Sequence, residues 1–173
     1  MNKPDPGRAS PPEIPAGSPP RLTFGFRGED ITYSVGGRTA EVGFTYIRGP
    51  RIYTDTIREW DDGTRLTPAE RRDVLQRCIT LVRKARERPT IVINADDPLA
   101  AEWRAMCEEF SADIDHVETT SDADTRAFQK KMFMDILAAG KGVTVDGVPL
   151  RTEEEIDRYV ERAYPVRGST NEP

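Results

Sequence analysis

The sequence predicts an α+β fold: an N-terminal antiparallel meander covered by a long helix, followed by alternating strands and helices, with a three-layer α/β arrangement as the alternative. Three observations carry this. Between Leu22 and Ile47 apolar residues alternate around a Gly36-Gly37 turn, the period of half-buried strands joined by a hairpin. At Thr67 a helix start is marked by a capping residue, by Pro68 at the first helical position and by Glu70 three residues after the cap. After Asn94, short β-branched runs alternate with segments of helical periodicity.

In chain order, Leu22 to Phe26 forms a first strand. Asp30 to Val35 forms a second, with Ile31, Tyr33 and Val35 on one face, and Arg38 to Ile47 returns beside it with a bulge at Gly43. Arg48-Gly-Pro50 turns the chain, and Arg51 to Thr54 leads into an acidic approach to the Thr67 helix. That helix buries Val74, Leu75, Cys78, Ile79, Val82 and Ala85, and Pro89 ends it ahead of a buried strand, Thr90 to Ile93. Asp97-Pro98 starts a helix with Leu99, Trp103, Met106 and Phe110 inward. Ile114 to Thr119 is a short strand. Ser121 or Asp122 caps a helix whose stripe is Phe128, Met132, Phe133, Ile136 and Leu137, and Gly140 stops it. Val143–Val145, the turn Asp146-Gly147 and Val148–Leu150 form a hairpin. Thr152 and Glu155 cap the last helix, which turns Ile156, Tyr159, Val160 and Ala163 inward.

The 173 residues suit one domain over residues 21–165, between a disordered proline-rich tail at 1–20 and a frayed tail at 166–173. The tail at the front is too poor in apolar residues to offset the entropy of ordering it. A net charge of −5 argues against nucleic acid or an anionic membrane as partner. No apolar run is long enough to span a bilayer, and the N-terminus lacks the apolar core of a secretion signal, so a cytoplasmic location is expected. Cys78 and Cys107 fall on apolar helix faces and are expected to be core thiols, with a disulfide between the two helices as the alternative.

No catalytic motif stands out. His116 is the single histidine, and neither a nucleophile elbow nor a phosphate loop that opens a helix is present. One set of residues suits Mg²⁺ or Mn²⁺: Asp96 and Asp97 follow a strand, and His116 lies beside the next. This makes a small metal-dependent enzyme one alternative function, and a structural or scaffold protein is another. Charge is distributed unevenly. From Leu66 to Arg88 there are seven Lys or Arg against three acids, and from Asp96 to Asp124 ten acids and one Arg. The approach to the long helix adds Asp55, Glu59, Asp61 and Asp62, flanked by Tyr53 and Trp60. Acids interleaved with aromatics suit a protein-binding face, so these six residues are the candidate contact set.

The hairpin Ile31-Thr-Tyr-Ser-Val-Gly-Gly-Arg38, then Ile52, Ile57 and Trp60-Asp61, then Leu66-Thr-x-x-Glu70-Arg71 and the apolar helix into Thr90-Ile-Val-Ile93 together resemble a known family. It is the family numbered seventy-four among the immunity proteins of bacterial polymorphic-toxin systems, and the likeness covers a little over a third of the chain. The resemblance implies a non-enzymatic antidote that binds a cognate protein toxin and occludes its active site, and it implies no catalytic residue or cofactor. Acidic charge further favours a basic toxin.

Overall fold

A computed structural model describes residues 19–25, 30–145 and 147–165. Residues 1–18 of the tail expected at 1–20, the tail at 166–173, Phe26 at the end of the first expected strand and Asp146 of the second hairpin turn lie outside the described residues. The chain is α+β, with antiparallel and parallel strands and four helices among the described residues. It divides into two compact units between Pro89 and Thr90.

The first unit holds β1 (Arg21–Phe24), β2 (Asp30–Val35), β3 (Arg38–Thr45), β4 (Arg51–Tyr53) and α1 (Pro68–Lys84). The strands lie in sequence order with antiparallel pairing, so the expected meander is present. Gly36 and Gly37 both take positive φ, 58° and 81°, which the tight turn between twisted strands requires. Register sets Ile31 opposite Val42, Tyr33 opposite Ala40 and Phe44 opposite Ile52. Because side chains alternate, these six fall on one face, and all are buried. The opposite face carries Thr23, Thr32, Thr39, Glu41 and Thr45. Over the apolar face lies α1, which buries Val74, Leu75, Cys78, Ile79 and Val82. The Tyr33 hydroxyl donates to Asp73 Oδ2 at 2.6 Å and ties sheet to helix.

The start of α1 is as its sequence dictates. Glu70 N donates to Thr67 Oγ1 at 3.3 Å, and Thr67 N donates to Glu70 Oε2 at 2.7 Å. Two backbone donors left over by the helix are thereby satisfied. Gly43 is not a bulge. It pairs one-to-one, opposite Asp30 on one side and Tyr53 on the other, as the end pair of each ladder. Glycine suits the position because a single 3₁₀ turn, Thr54–Thr56, lies close against it: a Cβ would meet Thr56 Cγ2 at 3.0 Å. Gly43 N donates to Thr56 Oγ1 at 2.7 Å.

The second unit begins with β5 (Thr90–Asn94), buried throughout, then α2 (Ala100–Glu109) and β6 (Val117–Thr120), which pairs parallel to β5. Helix α2 starts later than Asp97-Pro98 because Asp97 Oδ1 accepts from Leu99 N at 3.0 Å, closing a turn ahead of it. Trp103, Met106, Cys107, Phe110 and Ile114 are buried. A further small core joins α3 (Asp122–Ala138), the hairpin of β7 (Val143–Val145) and β8 (Val148–Leu150), and α4 (Glu153–Ala163) through Phe133, Val143, Leu150, Ile156 and Val160. Ser121 with Asp124, and Thr152 with Glu155, form capping boxes. At the other end of α3, Lys141 N donates to Ile136 O and Gly140 N to Leu137 O, the Schellman pattern, with Gly140 at φ 70°.

The expected apolar stripe of α3 holds only in part. Phe133 is buried and Ile136 and Leu137 half-buried, but Phe128 is 64% exposed and Met132 37%. At about 100° per residue, Phe128 stands about 140° round the helix from Phe133, beyond the sector buried in that core. Cys78 and Cys107 are buried free thiols, as expected, with burial pushing them up to about 12 and about 11.

Candidate acidic recognition turn

The approach to α1 folds as a locked turn between β4 and the Thr67 cap. Asp61 N donates to Thr39 O at 2.8 Å, and Thr39 N donates back to Asp61 Oδ1 at 3.0 Å, fastening the turn to β3. Within it, Trp60 N donates to Thr64 O and Gly63 N to Trp60 O, while Glu59 bridges Arg65 across the base. Asp62 Oδ1 accepts from both the backbone and the hydroxyl of Thr64, at 2.8 and 2.5 Å. The Thr64 hydroxyl bond, seconded by the backbone one, holds the Asp62 carboxyl below its ordinary value. Gly63 takes φ 79° at the tip, a conformation that favours glycine.

The six residues singled out from the sequence do not all share one surface. Glu59, Asp61 and Asp62 are exposed on the turn. Tyr53 and Asp55 are half-buried at the preceding 3₁₀ turn, where Tyr53 O accepts from Thr56 Oγ1 at 2.7 Å. Trp60 points inward, 2% exposed, so its indole is core and offers no surface to a partner. Its ring lies 5.9 Å from that of Tyr33, and the Arg38 guanidinium stands 4.3 Å from its centroid. Arg38 also reaches Glu70 Oε1 at 3.0 Å. The turn is thus clamped from β3 through Arg38 and Thr39, neither of which carries a sequence signal beyond its place on the strand.

The alternative metal set is taken apart by the fold. Ile91 pairs with Val117 and Asn94 with Thr120, so His116 stands at the start of the parallel pair, and Asp96 and Asp97 lie past its end. At least four strand residues separate them, about 13 Å, too far for one ion. Each group has other work. Asp96 Oδ2 accepts from Asp122 N at 2.8 Å, Asp97 is buried in its own turn, and His116 Nδ1 lies 2.8 Å from Asp115. Among the described residues, no group of three or more His, Cys, Asp or Glu is arranged to hold a metal ion.

Sequence reasoning passed over a second feature of the first unit. A groove of about 420 Å³ runs between β1 and α1, lined by Leu22, Asp73, Arg77, Thr80, Leu81 and Lys84 among others. At its side, Asp73 Oδ2 accepts from both Tyr33 and Arg77 Nε, at 2.6 and 2.8 Å. Burial first, and then the bond to Asp73, pushes the Tyr33 phenol to about 12. Burial also acts to raise Asp73, but the bonds from Arg77 and Tyr33 outweigh it and leave the carboxyl below its ordinary value. The available signals were the Asp73–Arg77 spacing of four on one helix and an inward-facing tyrosine that needed a partner.

No family model, curated protein or solved structure matches the chain. No helix among the described residues is long and apolar enough to cross a membrane.

Proposed function

We propose that this chain is a cytoplasmic immunity protein, not an enzyme, that captures a basic cognate toxin and covers its active site. The observation that carries this is the turn from Glu59 to Thr64, where the exposed Asp61 and Asp62 carboxylates each accept a backbone bond, from Thr39 N and Thr64 N. Groups already fixed in the free protein lose little freedom on binding, so the charge acts with less ordering cost than on a mobile loop. An acidic patch of this kind also steers a basic partner and speeds encounter. The likeness of residues 31–93 to immunity proteins supports the same reading.

The test uses amide isosteres, because Asp61 and Asp62 also accept bonds that hold the turn. Glu59→Gln, Asp61→Asn and Asp62→Asn together remove three charges and keep the accepting oxygens. Co-expression is with the C-terminal toxin domain of a secreted protein encoded beside this gene. The triple variant should fold as before, bind that domain with an association rate at least tenfold lower at low salt, and protect cells poorly. Undiminished binding and full protection would remove the acidic turn from the interface, and absence of any toxic neighbour that the chain binds would remove the immunity assignment.

A further inference from the structure

We infer that the free edge of β1, with the groove beside it, is a docking site for an extended peptide carrying an acidic and an apolar side chain two residues apart. This stands apart from the acidic turn and does not depend on it.

Among the described residues, β1 is the first strand of its sheet and pairs on one side, with β2. Which of its backbone groups face outward is set by the ladder. Gly25 N donates to Asp30 O at 3.0 Å, and the same register pairs Thr23 with Thr32 and Arg21 with Ser34. Hydrogen-bonded pairs alternate along an antiparallel ladder, so Gly25, Thr23 and Arg21 bond to β2. Leu22 and Phe24 then direct their N–H and C=O groups to the free edge. Such an edge is a template for one more strand.

Side chains decide what kind of strand fits. Leu22 and Phe24 share the face of Tyr33 and Ile31, so an added strand places alternate side chains beside them, about 7 Å apart. Beside Leu22 lies the groove. Among the described residues that line it, the one carboxylate, Asp73, is already engaged by Tyr33 and Arg77, and the cations are Arg77 and Lys84. Arg77 bonds Asp73 through Nε, so the guanidinium keeps Nη donors for a second carboxylate, and Lys84 adds its ammonium. A carboxylate side chain suits this end. Beside Phe24 the surface is aromatic. Phe24 is 44% exposed, with its ring 5.5 Å from Phe44 and 6.5 Å from Tyr46, and Tyr46 and Ile47 are themselves exposed. An aromatic or branched aliphatic side chain suits that end. The backbone edge, the cationic groove and the apolar patch lie along one strand in the spacing of one extended peptide.

The test is a titration of the ¹⁵N-labelled full chain with acetyl-Ser-Thr-Glu-Thr-Phe-Thr-Ser-amide at up to millimolar concentration. The reversed sequence is run alongside, since strand direction is free. A control peptide sets Glu and Phe on adjacent positions, so that they face opposite ways. The amides of Leu22 and Phe24 should shift and become protected from exchange, while those of Arg21 and Thr23, already bonded to β2, change little. Lys84→Glu, or Gln for Glu in the peptide, should weaken binding about five- to tenfold, less so in high salt. Leu22→Pro removes one outward N–H and spares the bonds to β2, so it should abolish binding with the fold retained. Three results would overturn the proposal: no shift from either direction of peptide, equal binding of the control, or Leu22 and Phe24 amides protected before any peptide is added. The last would mean that the chain's own N-terminal segment or a second copy covers the edge, and light scattering separates those two.

Discussion

Replacing Trp60 with alanine separates a buried residue from a surface anchor. The indole is 2% exposed, 5.9 Å from the Tyr33 ring and 4.3 Å from the Arg38 guanidinium. Truncation removes most of that volume from a packed core, at a cost of about 3–5 kcal/mol for a buried aromatic. A domain of this size is stable by about 5–15 kcal/mol, so the loss is a large share of the whole. The tryptophan also carries a handicap that a smaller aromatic lacks: its buried Nε1–H has no acceptor among the described residues. Leaving such a donor unbonded costs about 1–3 kcal/mol, so Trp60→Phe recovers part of what it loses in volume and should cost less than about 1.5 kcal/mol. Urea unfolding followed by circular dichroism measures both variants, with Trp103 left as a fluorophore. If Trp60→Ala costs under about 1 kcal/mol, the inward placement is wrong and Trp60 returns to the candidate contact set.

Two further variants test the frame around the site. Tyr33 is held near 12 against an ordinary value of 10.0, which means that its neutral form is favoured on folding. Its contribution to stability is therefore complete below about pH 10 and is lost as pH rises through about 12. Tyr33→Phe should flatten this alkaline limb, and titration of phenolate absorbance should lose its highest component. On the acid side the sign reverses. Asp73 is held below its ordinary 3.8, so its contribution is present above that value and is lost as pH falls through the lower folded one, and Asp73→Asn should flatten the acid limb. Gly43→Ala sets a methyl 3.0 Å from Thr56 Cγ2, in the 3₁₀ turn after β4, and 3.3 Å from Tyr53 Cβ, at the end of β4. Thermal unfolding should show a loss of about 1–3 kcal/mol, and no loss would show that the 3₁₀ turn yields freely.

Features that rest on near neighbours are legible in the sequence. The capping boxes at Thr67 and Thr152, the Gly36-Gly37 turn and the stop at Gly140 each depend on residues a few positions apart, so the sequence states them almost completely. The inward face of β2 follows from alternation alone. Gly43 shows where this ends: a glycine inside a strand signals either a bulge or a close approach, and only Thr56 arriving thirteen residues later decides between them. Phe128 and Met132 fit the helical period as well as Phe133 does, but the small core around Phe133 does not bury the flank on which they lie.

The candidate site divides the same way. The run Asp55, Glu59, Asp61, Asp62 is a fact of the sequence, and so is the contrast in charge between the basic first helix and the acidic segment from Asp96 to Asp124. The turning of Trp60 inward, and the fastening of Asp61 to Thr39 twenty-two residues back, depend on how β3 passes under the turn. His116 and the Asp96–Asp97 pair are close to adjacent strands in sequence terms, yet the parallel register puts them at opposite ends. The sequence by itself determined the class of fold, the starts and stops of its helices and the acidic character of the turn, because these rest on neighbours along the chain. Which acids are exposed, which aromatic is covered and which of the described strands stands at the sheet's edge were decided by tertiary structure. Those outcomes depend on groups brought together across tens of residues, and no local period records them.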